Sequence, residues 1–158
     1  MNQVYQIFGF DTLPQIQLPV APIASEADRT IRRASPLQMV LASAALSNHG
    51  LIPAPRIAMA VKTPKEGWIP LPALESSNEA IQASAADEAI LAYLVEDQMY
   101  WRHIGQAQEE NLSFTWFIGG TPPNRQAAPL AIVIVLEEAN TQLADRIGKE
   151  LLIDAMNP

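Results

Sequence analysis

The sequence predicts an α+β fold, a small antiparallel sheet of three to four strands with helices packed on it. Three observations carry that expectation. Residues 35–50, SPLQMVLASAALSNHG, hold a complete set of helix start and stop signals; LAIVIVL at 130–136 is an uninterrupted β-branched run; and a helical apolar period closes the chain after Asn140.

Taken in order, residues 1–34 contain Pro14, Pro19 and Pro22, which forbid a regular helix around them and suggest an extended covering segment. The helix that follows is better specified. Ser35 can cap it, Pro36 suits the first helical position, Gln38 completes a reciprocal capping box, and Gly50 can close the far end in the left-handed region. Leu37, Leu41, Ala44 and Ala45 keep one helical face, widened by Met39, Val40 and Leu46, so this helix is expected in the core. His49 near its end suits the negative pole of the helix dipole. Residues 56–62 read as a strand behind two prolines, and PKEGWIPLPALESSNEA reads as a loop anchored by Trp68.

A second helix is expected over 84–96, with Ser84 as its cap, Asp87 three residues on, and Ile90, Leu91, Leu94 and Val95 on one face. From Met99 the period changes to strands. MYWRHIGQAQ and LSFTWFIGG are separated by a polar turn, and 130–136 follows as a strand covered on both faces. The last helix is capped by Asn140 and presents Leu143, Ile147 and Leu151, with Leu152 beside them. Residues 35–158 thus form the expected helix and sheet core. No internal repeat interrupts them.

Length and composition narrow the function classes. With 158 residues, 49% of them hydrophobic, the chain suits one domain with a real core. It has no cysteine, which excludes disulfides, thiol catalysis and cysteine-ligated zinc. A formal charge of -7 argues against nucleic acid as a partner, since no broad basic face can displace counterions from phosphates. No apolar run approaches the roughly 18 residues of a membrane-spanning helix. MNQVYQIFGF lacks the basic and then apolar order of a secretory leader. His49 and His103 lack further ligands at metal spacing, no cofactor motif is present, and the pairs Glu109-Glu110 and Glu137-Glu138 read as solvated strand ends.

Three stretches, taken together and in order, resemble the C-terminal part of the transpeptidase domain of penicillin-binding proteins. In FGFDTLPQIQLP, Phe8, Gly9, Phe10, Ile16, Leu18 and Pro19 resemble the family's segment after its middle active-site motif. SPLQMVLASAALSNHGLIPAPRI resembles its Ser/Thr-Pro-Leu-Gln helix, Asn-x-Gly end and following proline. In TWFIGGTPP, Trp116, Phe117, Gly119 and Pro122 resemble its strand-to-loop segment. The resemblance implies a single, partial transpeptidase-like domain over 1–158 and a bacterial cell-envelope setting outside the cytoplasmic membrane. Such enzymes acylate a serine with a peptidoglycan stem peptide or with a β-lactam. The chemistry uses a lysine-activated serine, a Ser-x-Asn relay, and a Lys-Thr/Ser-Gly strand beside the oxyanion site.

The departures lie at the catalytic positions. None of Ser25, Ser35, Ser43, Ser47, Ser76, Ser77, Ser84 and Ser113 has a lysine three residues later. SSN at 76–78 has the letters of the middle motif but falls on the wrong side of the SPLQ helix, and VKTP at 61–64 has a proline where glycine is needed. The Lys-Thr-Gly strand corresponds to His103, Ile104 and Gly105, where only the glycine survives. Ile104 has no hydroxyl, and a neutral imidazole is a poor permanent counter-charge.

The expectation is therefore a non-catalytic portion of a transpeptidase domain. Its role would be structural, or binding of a peptidoglycan peptide or a cell-envelope protein near His103, Ile104 and Gly105, with no metal, no cofactor and no assigned catalytic residue. One alternative is a fragment of an active, penicillin-binding D,D-transpeptidase whose serine and lysine lie in polypeptide before this sequence. The other is an oligomeric α+β interaction module.

Overall fold

The computed structural model describes residues 2–16, 33–95 and 99–157. Its core is an antiparallel meander of β5 (Trp101–Glu109), β6 (Leu112–Gly120) and β7 (Ala131–Leu136), in spatial order β5-β6-β7. Trp101 stands opposite Gly120 and Phe117 opposite Ile134, which fixes the register on both sides of β6. Helix α2 (Pro36–Ser47) packs on β6 and β7 from one face, and α4 (Thr141–Met156) covers the other. The arrangement is α+β, as expected.

Around this core lie α1 (Asn2–Ile7), the paired short strands β1 (Leu51–Ile52) and β4 (Asn78–Glu79), the hairpin of β2 (Ala60–Thr63) and β3 (Gly67–Pro70), and α3 (Ala83–Leu91). Several of these correct the expectations. The proline-rich opening does not prevent a helix at 2–7, because its first proline comes only at Pro14. Residues 17–32, part of the expected covering segment, lie outside the described residues.

The expected strand at 56–62 shifts to Ala60–Thr63, and the expected loop after it contains β3. Thr63 accepts from the Glu66 N–H in the connecting turn, and Gly67 at φ +74 turns the chain back. Trp68 is no anchor, since it is 69% exposed. The helix expected at 84–96 runs instead from Ala83 to Leu91, with Gln82 at its N-terminus and no side-chain cap from Ser84. Its C-terminal end is displaced by sheet pairing. Leu94 bridges Trp101, and the Tyr93 carbonyl accepts from the Arg102 N–H at 3.1 Å.

The α2 capping box forms as expected: the Ser35 hydroxyl accepts from the Gln38 N–H, and Gln38 Oε1 accepts from the Ser35 N–H. Gln38 does more than cap. Its amide nitrogen also donates to the carbonyls of Gly9, Phe10 and Thr12 at 3.2, 3.1 and 2.9 Å, so it ties the Phe-Gly-Phe segment to α2. The buried positions of α2 lie on two sides of the helix: Ser43 and Ser47, one turn apart, share the side that meets Trp101 of the sheet, while Gln38 and Ala45, two turns apart, lie on the other. Ser43 donates to the Met39 carbonyl, and Ser47 accepts from Trp101 Nε1 at 3.0 Å. At the far end both His49 and Gly50 adopt positive φ, and the Gly50 N–H returns to the Ala45 carbonyl at 2.7 Å. His49 faces Asp87 of α3 at 3.6 Å.

Helix α4 is capped as expected, with Asn140 accepting from the Leu143 N–H. Thr115, fully buried on β6, accepts from the Asn140 N–H and donates to the Glu138 carbonyl, which fixes the entry into α4. Asn140→Ala is expected to cost about 1 kcal/mol in urea unfolding, the usual worth of such a cap. The inward stripe is offset from the expected one. Ala144, Gly148 and Leu152 are buried while Leu151 is 49% exposed, because a short stripe lets α4 approach the Phe117 ring.

Candidate functional site

The residues singled out in the sequence sit on β5, an edge strand of the sheet. The Arg102 N–H already points away from β6, toward Tyr93. In an antiparallel ladder the N–H and C=O of one residue share a side, and the side alternates along the strand. Ile104, Gln106 and Gln108 therefore also present their backbone groups to the outer edge. Near Trp101 that edge is occupied by residues 93–95. From Ile104 onward it carries no strand among the described residues.

Side chains divide between the two faces. Trp101 reaches Ser47 of α2, so His103, Gly105 and Ala107 lie on the α2 face, whereas Arg102 pairs with Asp145 of α4, so Ile104 lies on the α4 face. His103 is exposed and makes an edge contact with the Tyr93 ring, with centroids 5.2 Å apart. Gly105 leaves open space beside it, since a Cβ there would meet only His103 Nε2, at 3.8 Å. At the end of β5 Glu109 pairs with Arg33, just before α2. Tyr93 and Arg33 were not legible as neighbours of this strand, because both come from segments whose path depends on tertiary pairing.

The two faces differ in cover. On the α4 side Phe117 and Thr115 are fully buried, while on the α2 side Phe114, Trp116 and Ile118 remain half-buried and Ala107 is exposed. The outer edge of β7 is also unpaired among the described residues. Yet this strand is wholly apolar and lies between α2 and α4.

The Ser76–Asn78 stretch is not part of the β5 site. Ser76 and Asn78 line a cleft of about 230 Å³ with Phe8, Gly9, Gln38 and Ile52, and none of its walls comes from β5. Among the described residues no group of three His, Asp or Glu side chains is placed to hold a metal ion.

No family model and no curated protein matches the chain. Solved structures do. PBPA from Mycobacterium tuberculosis is 19% identical with a TM-score of 0.74, covering 98% of this chain and 43% of that one. Penicillin-binding protein 3 from the same organism is 18% identical with a TM-score of 0.73, covering 99% and 46%. The D,D-transpeptidase domain of a peptidoglycan glycosyltransferase from Eggerthella lenta is 16% identical with a TM-score of 0.66, covering 97% and 47%. The fold is that of part of a penicillin-binding-protein transpeptidase domain.

The chain spans less than half the length of these structures. No helix among the described residues is long and apolar enough to cross a membrane.

Proposed function

We propose that this chain is a non-catalytic portion of a transpeptidase-type domain that serves cell-wall synthesis by binding an extended peptide along β5. The open outer edge of β5 from Ile104 to Gln108 carries this reading. Backbone groups at Ile104, Gln106 and Gln108 offer alternating donors and acceptors to a strand of any sequence, and the exposed His103 and Ala107, with the half-buried Gly105 between them, offer side-chain discrimination. A peptidoglycan stem peptide is the ligand implied by the fold. Strand addition needs no nucleophile, so the loss of lysine and threonine at positions 103 and 104 removes acyl transfer without removing the edge.

Two measurements test this. The intact mass of the chain is expected to stay unchanged after incubation with a penicillin; a stoichiometric adduct would overturn the non-catalytic reading. Titration with a stem peptide should shift the amide resonances of 104–108. Gln106→Pro removes one outward donor without touching the ladder to β6 and should weaken binding by roughly five- to ten-fold, the worth of one hydrogen bond. Unchanged affinity would place the peptide elsewhere.

One observation favours a second reading. The face on the α2 side and the β7 edge, half-covered and unpaired among the described residues, fit a chain that completes its sheet with further polypeptide. If that polypeptide carries an intact Ser-x-x-Lys, the assembly would hold the nucleophile this chain lacks, with His103 and Ile104 arguing against full activity even then. A penicillin adduct on the assembly, with none on this chain, would decide for it.

A further inference from the structure

The β2–β3 hairpin stands apart from the rest of the fold. Its strands pair with each other from Ala60 opposite Pro70 to Thr63 opposite Gly67, and they pack chiefly on one another. Isolated two-stranded hairpins are marginally stable in water, so an apolar surface left on one calls for an environment. This hairpin exposes a good deal: Met59 is 73% exposed, Trp68 69%, Ile57 57% and Val61 45%.

The charge of the arm is opposite to that of the chain. Residues 56–70 contain Arg56, Lys62 and Lys65 against the single carboxylate Glu66, and they hold two of the three lysines of a chain whose formal charge is -7. None of these cations is held in an ion pair among the described residues. An anionic surface would repel the remainder of the molecule and attract this arm.

The register separates the apolar groups. Lys62 stands opposite Trp68, so ammonium and indole share one face, while Val61, opposite Ile69, takes the other; Ile57 and Met59 lie in the segment leading into β2. A protein groove that receives one face of a hairpin would leave the other in water. A bilayer interface accommodates both, because its headgroup layer accepts indole rings and cationic heads while the acyl boundary accepts aliphatic side chains.

We propose that the β2–β3 arm docks on an anionic lipid surface, with Ile57, Met59, Val61 and Trp68 at the headgroup boundary and Arg56, Lys62 and Lys65 against the phosphates. This inference is independent of the peptide-binding reading of β5.

The test is flotation of the whole chain with vesicles of phosphatidylcholine containing roughly 30% phosphatidylglycerol, and with phosphatidylcholine alone. Tryptophan emission is recorded in parallel. Trp101 is only 2% exposed and Trp116 is half-buried, whereas Trp68 is 69% exposed, so a blue shift that Trp68→Phe abolishes reports on the arm. Binding is expected on the anionic vesicles, weakened roughly thirty-fold by Lys62→Gln with Lys65→Gln and suppressed by high salt. Circular dichroism should be unchanged in these variants, since every substituted side chain is exposed. Equal binding to neutral vesicles, flotation without a blue shift, or an unaffected double variant would overturn the proposal. So would failure to float in a chain whose arm instead captures a protein.

Discussion

Gly120→Ala is expected to destabilise the fold by about 3 kcal/mol, at the upper end of what overpacking a core costs. A Cβ at this position would lie 2.4 Å from the Ser47 hydroxyl, 2.6 Å from the Leu130 carbonyl and 3.1 Å from Trp101 Nε1. Two of these atoms form the buried Trp101–Ser47 hydrogen bond, and the third is backbone that accepts from the Thr121 N–H. None can retreat without breaking a bond in the interior. For a domain of this size the loss corresponds to a fall of roughly 6–12 °C in Tm. Because β6 and α2 are both displaced, the same variant should lose protection of the β5 and β6 amides together in hydrogen exchange. A Tm within about 2 °C of the parent would show that the helix-to-sheet junction is looser than these distances imply.

The second large effect is expected at Gln38. This side chain is 5% exposed, caps α2 through Oε1, and gives its amide nitrogen to three carbonyls of the Gly9–Thr12 turn. Gln38→Ala removes the cap contribution and strands partly buried acceptors, for a combined loss of about 3 kcal/mol. Gln38→Glu discriminates packing from hydrogen bonding. It preserves shape and the acceptor role toward Ser35, yet sets a carboxylate against three carbonyl oxygens. It should therefore be at least as harmful as the alanine variant in urea unfolding, and near-parental stability in Gln38→Glu would remove the carbonyl clamp from the account.

Much of this fold was legible because local chemistry and tertiary need agree in the same residues. Ser35, Pro36 and Gln38 start a helix by their own bonding, and Asn140 does the same for α4. The β-branched 131–136 run can hardly be anything but a covered strand. What could not be read was settled by contacts distant in sequence. Helix α3 stops at Leu91 because Tyr93 and Leu94 pair with residues beyond 100, and no signal at 92–95 announces that. The inward face of α4 follows Gly148 and Ala144 rather than its leucines, since closeness to Phe117 outweighs side-chain size.

The candidate site divides along the same line. Its position on a strand before TWFIGG could be read from motif order. That His103 and Ile104 lie on opposite faces follows from strand alternation. Which face looks toward α2 required the Trp101–Ser47 and Arg102–Asp145 contacts.

The free edge of β7 bears on how this molecule behaves in a crowded solution. Six consecutive apolar residues, with no lysine, proline or bulge to discourage pairing, stand partly buried beside a row of amides and carbonyls that no strand among the described residues occupies. Natural sheets blunt such edges because any extended chain, folded or nascent, can add to them and begin aggregation. Colloidal stability of this chain is then set less by its acidic surface than by the occupancy of one strand edge, and protein concentration becomes a variable of its state.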